Sequence, residues 1–274
     1  MDVVQWLLFG ALPAVAAVLL LVGVGGPRWL ALALAVAVCV PLALDGGLPP
    51  WPWQLDLLHG PPRPALWWLL LLAGAFGAAF DLRALPAAIA VPAEVVLCAA
   101  LPWLLSSPLR AGWSFEAAVL LLGLGWSVVA LLWWGVRRAA QARPGLWVPL
   151  AMTGALAVDA WLLRAAGDGP DWRPAGVAAV ALGFACVTAT WRRAFVCGSG
   201  AVLLMTLAHT GLLLCGRSEA GLRAASFVLA WCAPLPLAAA ALPRFAGARG
   251  AGAAVGVAGA ALLGALAIWA SVPA

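Results

Sequence analysis

The sequence contains few charged residues, no tyrosine and no lysine. Charged residues make up 9% of the 274 positions, hydrophobic residues make up 66%, and the mean hydropathy is +1.07. A water-soluble protein of this length needs more polar surface than this composition supplies. The scarcity of charge therefore excludes a soluble globular protein and predicts a membrane protein. The missing residue types reflect background amino-acid usage and say nothing about activity.

Motifs of common enzyme classes are also missing. The sequence has no G-x-S-x-G, H-E-x-x-H, Walker A or dinucleotide-binding pattern. It has only two histidines, His59 and His209, and its six cysteines form no C-x-x-C motif. A histidine-rich metal centre is therefore disfavoured, and the cysteines are interpreted as small apolar residues. We predict no catalytic residue, no metal and no cofactor, which argues against an enzyme.

Long polar segments are absent as well. The longest connection between apolar runs extends from Asp45 to Pro64 and spans about twenty residues, too few for a soluble domain. Residues 1–274 are therefore predicted to form a single integral membrane domain. Any chemistry must take place in the bilayer or at its surface.

Ten apolar segments are present, each near the 17 to 25 residues that a membrane helix needs. An acidic residue stands at the N-terminus where a signal peptide would be basic, so the first segment is interpreted as a retained helix. The sequence predicts an all-α, polytopic transmembrane bundle of about ten helices. The predicted spans are 3–25, 28–45, 64–81, 85–105, 115–136, 146–167, 174–191, 195–215, 222–243 and 251–271.

The arginines between the spans predict the orientation. One set of alternate connections holds nine arginines and the other holds six. Cytoplasmic connections retain basic residues, so this bias predicts both termini outside a bacterial plasma membrane. The net charge of +5 is assigned to contact with lipid phosphates, and a nucleic-acid partner is excluded.

Weak similarity between the two halves raises the question of an internal repeat. Short matches recur at an offset of about 140 residues, for example around Arg83 and Arg223. Two five-helix halves, 1–137 and 141–274, would be inverted in the membrane, as in many transporters. Such matches also arise by chance in a chain rich in Ala and Leu. Prolines interrupt the fourth and ninth spans, either as packing kinks or to free carbonyls that line a cavity.

Three ionisable residues stand well inside predicted spans: Glu94, Asp159 and His209. A charge at the centre of a membrane helix costs about 2.5 to 3.5 kcal/mol on insertion scales, so such residues often mark ion or proton pathways. The three predicted depths agree to within about 10 Å. We therefore expect that they can share one hydrated cavity.

Polar residues form a stripe on the eighth span. Thr206, His209 and Thr210 are spaced i, i+3 and i+4, which places them on one helix face. The stripe has two interpretations: hydrogen bonds that join neighbouring helices, or the wall of a solute or proton pathway.

The connection between the second and third spans offers a secondary candidate site. Asp56 and His59 can act together as a general base near a lipid headgroup, with Arg63 binding phosphate. A lid or an interfacial anchor is the alternative interpretation, because tryptophan and leucine dominate this segment.

These patterns favour a small secondary transporter for an unidentified small solute, coupled to protons or another cation. Its predicted pathway residues are Glu94, Asp159, His209, Thr206 and Thr210. Two alternatives remain: a non-catalytic membrane scaffold or assembly subunit, and a membrane enzyme that acts on a lipid-linked substrate.

Overall fold

A computed structural model describes residues 10–46, 49–56, 62–82, 86–106, 110, 112–142, 145–167, 172–191, 197–242 and 251–272. Within these ranges the chain forms ten α-helices and no β-strand. The predicted all-α bundle is therefore confirmed.

Each α-helix corresponds to one of the ten predicted spans, with some differences at the ends. The helices are α1 (Leu12–Gly25), α2 (Leu30–Gly46), α3 (Pro62–Asp81), α4 (Ala87–Leu105), α5 (Phe115–Ala142), α6 (Trp147–Ala166), α7 (Trp172–Trp191), α8 (Ser199–Glu219), α9 (Ala224–Cys232) and α10 (Ala251–Ser271).

Helix α5 is longer than its predicted span. It has 28 residues and continues beyond residue 136 to Ala142, so that Arg137 and Arg138 lie on the helix. No proline or glycine stands between these arginines and Pro144, and arginine is a good helix former. The two arginines are therefore held by a rigid element, whereas the sequence analysis placed them in a connection.

The helix lengths and the surface suit a bilayer. By length and composition, α3, α4, α5, α6, α8 and α10 can cross a membrane, while the apolar stretches of the other helices are shorter. Large apolar side chains point outward, with Phe115 83% exposed and Trp269 76% exposed. An apolar exterior of this kind is stable in contact with lipid tails and unfavourable in water.

Helix α8 lies at the centre of the bundle. It packs against helices α2 to α7 and against α9, and nearly all of its residues are buried. Two glycines let α3 approach it closely, since a Cβ atom added at Gly77 would lie 2.8 Å from the Cα of Gly200. Small residues commonly form such close crossings in membranes. Polar side chains on α8 are therefore held in the protein interior.

The ninth span is interrupted. Helix α9 ends at Cys232, and a 3₁₀ segment follows at Leu235–Ala241. Pro234 and Pro236 have no backbone N–H to continue the α-helical pattern, so the chain tightens, with the N–H of Ala233 bonding the carbonyl of Ala230. In contrast, α4 continues as one helix through Pro92 and Pro102. The two proline-containing spans thus respond differently to their prolines.

Candidate functional site

Asp159 and His209 form a buried pair at the centre of the bundle. Oδ2 of Asp159 lies 2.6 Å from Nδ1 of His209. The two residues are 0% and 1% exposed, respectively. A carboxyl group and an imidazole at this distance share a hydrogen bond, and both groups can bind a proton.

Helical periodicity places both side chains toward the interior. On α6, Asp159 shares a buried face with Met152, Ala155 and Leu162. On α8 the residues around His209 are buried on all sides, because neighbouring helices surround this helix. The sequence analysis identified both residues, and the packing of α6 on α8 brings them together.

The break after α9 borders the same pair. The ring of His209 interacts electrostatically with the backbone carbonyls of Ala230 and Trp231. Its Nε2 atom has no partner at full hydrogen-bond geometry among the described residues. Oδ1 of Asp159 likewise meets no donor in the described part of the chain. The pair therefore retains hydrogen-bonding capacity beyond its mutual contact.

The two threonines of the stripe have different partners. Oγ1 of Thr210 accepts a hydrogen bond from Nε1 of Trp231, at 3.3 Å, which joins α8 to α9. The hydroxyl of Thr206 donates to the carbonyl of Val202 on its own helix, at 3.0 Å. Thr210 thus links two helices beside His209, while Thr206 is satisfied within α8. Sequence reasoning missed Trp231, since nothing in its local pattern distinguishes it from the other sixteen tryptophans.

Glu94 belongs to a second centre. Its Oε2 lies 2.5 Å from Nη1 of Arg137 on α5. Glu94 is 1% exposed, and the side chain of Arg137 is 18% exposed. The guanidinium also lies near the ring of Trp133, with its carbon 5.2 Å from the ring centroid. We expected Glu94 to share one cavity with Asp159 and His209. The structure instead pairs Glu94 with Arg137.

Asp81 completes this second centre at the start of α8. Its carboxylate accepts a hydrogen bond from the backbone N–H of Gly200, at 3.1 Å, and interacts electrostatically with Arg137. An acidic side chain at a helix N-terminus satisfies free N–H groups and the helix dipole. The sequence analysis overlooked Asp81 and Arg137, because each stands near the end of a predicted span.

The two centres lie at different levels of α8. Gly200 and His209 are nine residues apart, which corresponds to about 13 Å along a helix axis. Asp81 binds the beginning of the helix and interacts with the charges of Glu94 and Arg137, whereas Asp159 and His209 lie near its middle. Helix α8 therefore connects two polar centres that are separated by apolar packing.

The secondary candidates lie only partly within the described residues. Nε of Arg63 lies 2.5 Å from Oε2 of Glu219, so this arginine joins the start of α3 to the end of α8. Asp56 is exposed, and His59 lies outside the described residues. The proposed pairing of Asp56 with His59 stays a prediction.

An apolar cavity of about 420 Å³ lies between α6 and α10. Gly154, Ala155 and Val158 line it on one side and Gly264 lines it on the other. Its wall also includes Ala233, next to the break that faces His209. All of its lining residues are apolar, and it borders the Asp159 region of α6.

Candidate metal ligands do not cluster in the described part of the chain. There, no three His, Cys, Asp or Glu side chains lie close enough together to hold an ion. The Asp159–His209 pair offers two ligands of the kinds that divalent transition metals accept, which is fewer than an ordinary site provides. Both groups of the pair can bind and release a proton.

The fold and its buried polar centres define a multi-pass helical membrane protein. No family model matches the sequence, and no similar chain is found among curated proteins or solved structures.

Proposed function

We propose that the protein is a small secondary transporter of the bacterial plasma membrane that couples movement of a small solute to protons. The single observation that carries the proposal is the buried Asp159–His209 pair, at 2.6 Å in the middle of the central helix. Ionisable groups at such depth are costly and are characteristic of proton relays in transporters.

The surroundings of the pair suit a change in conformation. The last turn of α9, just before the break, places backbone carbonyls beside His209, and broken helices in membrane proteins commonly border substrate and ion sites. A proton gained or lost by the pair changes its attraction to these carbonyls. The change can shift the 3₁₀ segment relative to α8. Such a shift would couple protonation of the pair to access of the solute to its site.

The cavity between α6 and α10 is the proposed space for the solute. Its volume of about 420 Å³ lies in the range of small-molecule sites. Because its wall contains no polar side chain, it favours a solute with an apolar body. Trp147 and Leu150 stand at its edge and are both half exposed on the lipid-facing surface, which suits entry from the bilayer.

The test compares proton movement in proteoliposomes that contain a trapped pH-sensitive dye. Wild-type protein is challenged with a panel of amines, weak acids, amino acids and sugars, and at least one class is expected to change the internal pH. The double variant Asp159→Asn with His209→Gln is expected to abolish this change. Two amides can still hydrogen-bond and keep α6 docked on α8, but neither titrates near neutral pH.

Ser127→Ala is the matched control, since the Ser127 hydroxyl donates to the carbonyl of Gly123 on its own helix and has no other partner among the described residues. It should transport like the wild type. Gel filtration and circular dichroism establish that each variant is folded. Solute-dependent proton movement at the wild-type rate in the folded double variant would remove the pair from the mechanism, and no response from the wild type to any class would reject the transport proposal.

A second substitution tests the cavity. Gly154 lines the cavity and a Cβ atom added there meets no atom within 4 Å, so the side chain of Gly154→Leu has room to enter the cavity. It should slow solute-dependent proton movement at least about tenfold. Gly123→Leu, on α5 and equally free of neighbours, is the control. Equal rates for the two variants would show that the solute uses another route.

The alternative functions predict other sensitive positions. An enzyme of lipid-linked substrates would depend on Asp56 and His59 and tolerate the double amide variant. A scaffold subunit would tolerate substitution at both sets and would copurify with a partner. The same panel of variants therefore separates the three classes.

A further inference from the structure

A second cavity lies at the arginine-rich end of the bundle. It has a volume of about 450 Å³ and lies between the last turns of α5 and the 3₁₀ segment. Trp134 and Arg138 line it on the α5 side, and the 3₁₀ side presents only apolar residues. The lining residues of the 3₁₀ side are Leu235, Pro236, Ala238, Ala239, Ala241 and Leu242.

The shape of this cavity follows from the break after α9. Gly135 brings α5 close to the 3₁₀ segment, because a Cβ atom at Gly135 would lie 3.1 Å from the Cβ of Ala238. A 3₁₀ segment is narrower than an α-helix, and this one carries small side chains. Beside the close contact it therefore leaves space that the neighbouring helices do not fill.

Arg138 provides the only charge among the residues that line the cavity. Its guanidinium carbon lies 5.7 Å from the centroid of the Trp134 ring. Within the described residues, no carboxylate lies at ion-pair distance from it. This contrasts with the adjacent Arg137, which is paired with Glu94. Arg138 is thus a cation whose hydrogen-bond donors are available to an anion.

The position of Arg138 matches the level of lipid headgroups. It stands four residues before the last residue of α5, about 6 Å from that end along the helix axis. Tryptophan and arginine at the end of a membrane helix commonly lie at the bilayer boundary. The connections at this end also hold the larger share of arginines, which favours the leaflet rich in anionic lipid.

We propose that this cavity binds one anionic phospholipid, with its phosphate on Arg138 and an acyl chain along Leu235–Leu242. The guanidinium donates hydrogen bonds to phosphate oxygens, and the apolar wall of the 3₁₀ segment excludes a polar occupant. The bound lipid contacts both α5 and the 3₁₀ segment and so fastens the broken span to the rest of the bundle. This inference is independent of the proposed transport activity.

The experiment measures lipid binding to the purified, delipidated full chain by native mass spectrometry. Phosphatidylglycerol, phosphatidylcholine and inorganic phosphate are the probes. Phosphatidylglycerol is expected to bind at least about tenfold more tightly than phosphatidylcholine, and Arg138→Gln should remove this preference. Ala239→Leu, which fills the apolar part, should weaken binding of phosphatidylglycerol while Arg138 is kept.

Arg164→Gln is the matched control, since Arg164 stacks on Trp172 in the same way, with 5.2 Å to the ring centroid, at the opposite end of the bundle. It should bind phosphatidylglycerol like the wild type. Equal binding of the two lipids, or unchanged selectivity in Arg138→Gln, would overturn the proposal. Inorganic phosphate that competes as strongly as the lipid would show a simple anion site and overturn it as well.

Discussion

Glu94 and Arg137 form one ion pair, but removing Arg137 should destabilise the protein more than removing Glu94. Glu94 is 1% exposed, and its Oε1 atom meets no donor among the described residues. Arg137 is 18% exposed by its side chain and also interacts with the charge of Asp81. Removing the arginine therefore leaves a buried carboxylate without compensation, whereas removing the glutamate leaves a cation that keeps another acid nearby.

The expected free energies follow from this asymmetry. Arg137→Met should lower the free energy of unfolding by about 3 kcal/mol, the cost of an uncompensated charge at membrane depth. Glu94→Met should lower it by about 1 kcal/mol, since the long side chain of Arg137 can reach water. The double variant should resemble Glu94→Met, because it contains no unpaired buried carboxylate at this position. The coupling energy between the two positions is then about 3 kcal/mol.

Unfolding of the detergent-solubilised protein in increasing dodecyl sulfate, followed by tryptophan fluorescence, measures these differences. Arg164→Met serves as a control, because this arginine has a stacking contact with Trp172 and no ion-pair partner among the described residues. It should cost at most about 1 kcal/mol. Compensation of the Glu94 charge by Arg137 would be contradicted if Arg137→Met is as stable as the wild type. It would also be contradicted if the effects of Glu94→Met and Arg137→Met simply add.

Two further predictions concern helix packing and orientation. Gly77→Ala should destabilise the protein by about 1 to 3 kcal/mol, because its Cβ would meet the backbone of Gly200 at 2.8 Å. The control Gly123→Ala, whose Cβ would have no atom within 4 Å, should be neutral or stabilising. Equal unfolding curves for the two variants would contradict the close crossing of α3 and α8. An alkaline phosphatase fused after residue 274 should be active in a bacterial host, because the arginine bias predicts an outside C-terminus, and fluorescence of a green fluorescent protein fused at the same place would reverse the orientation.

The sequence predicted the helices well, because the relevant signal is local. In a bilayer each backbone segment must satisfy its hydrogen bonds internally, so a long apolar run becomes a helix whatever its neighbours are. Errors occurred at the ends of segments. The fifth span was predicted to end at residue 136, but the helix continues to Ala142 and carries Arg137 with it. The prolines of the ninth span were predicted to kink it or to free carbonyls, and the change to a 3₁₀ segment at Leu235–Ala241 was not predicted.

For the candidate site, sequence reasoning identified ionisable residues but not their partners. Glu94, Asp159 and His209 are conspicuous because each interrupts an apolar run. Nothing local distinguishes the pairing of Asp159 with His209, fifty residues away, from a pairing with Glu94. Arg137 and Asp81 were overlooked because charges near helix ends are ordinary in membrane proteins.

Hydropathy and segment length act within each helix, so the sequence is enough to predict a bundle of about ten apolar helices with three ionisable residues at depth. The pairing of Asp159 with His209 at the middle of α8, and that of Glu94 with Arg137, can be seen only in the packed bundle. The physical reason is that these pairings depend on how helices far apart in the chain pack side by side. In this chain that packing is set by contacts such as Gly77 against Gly200.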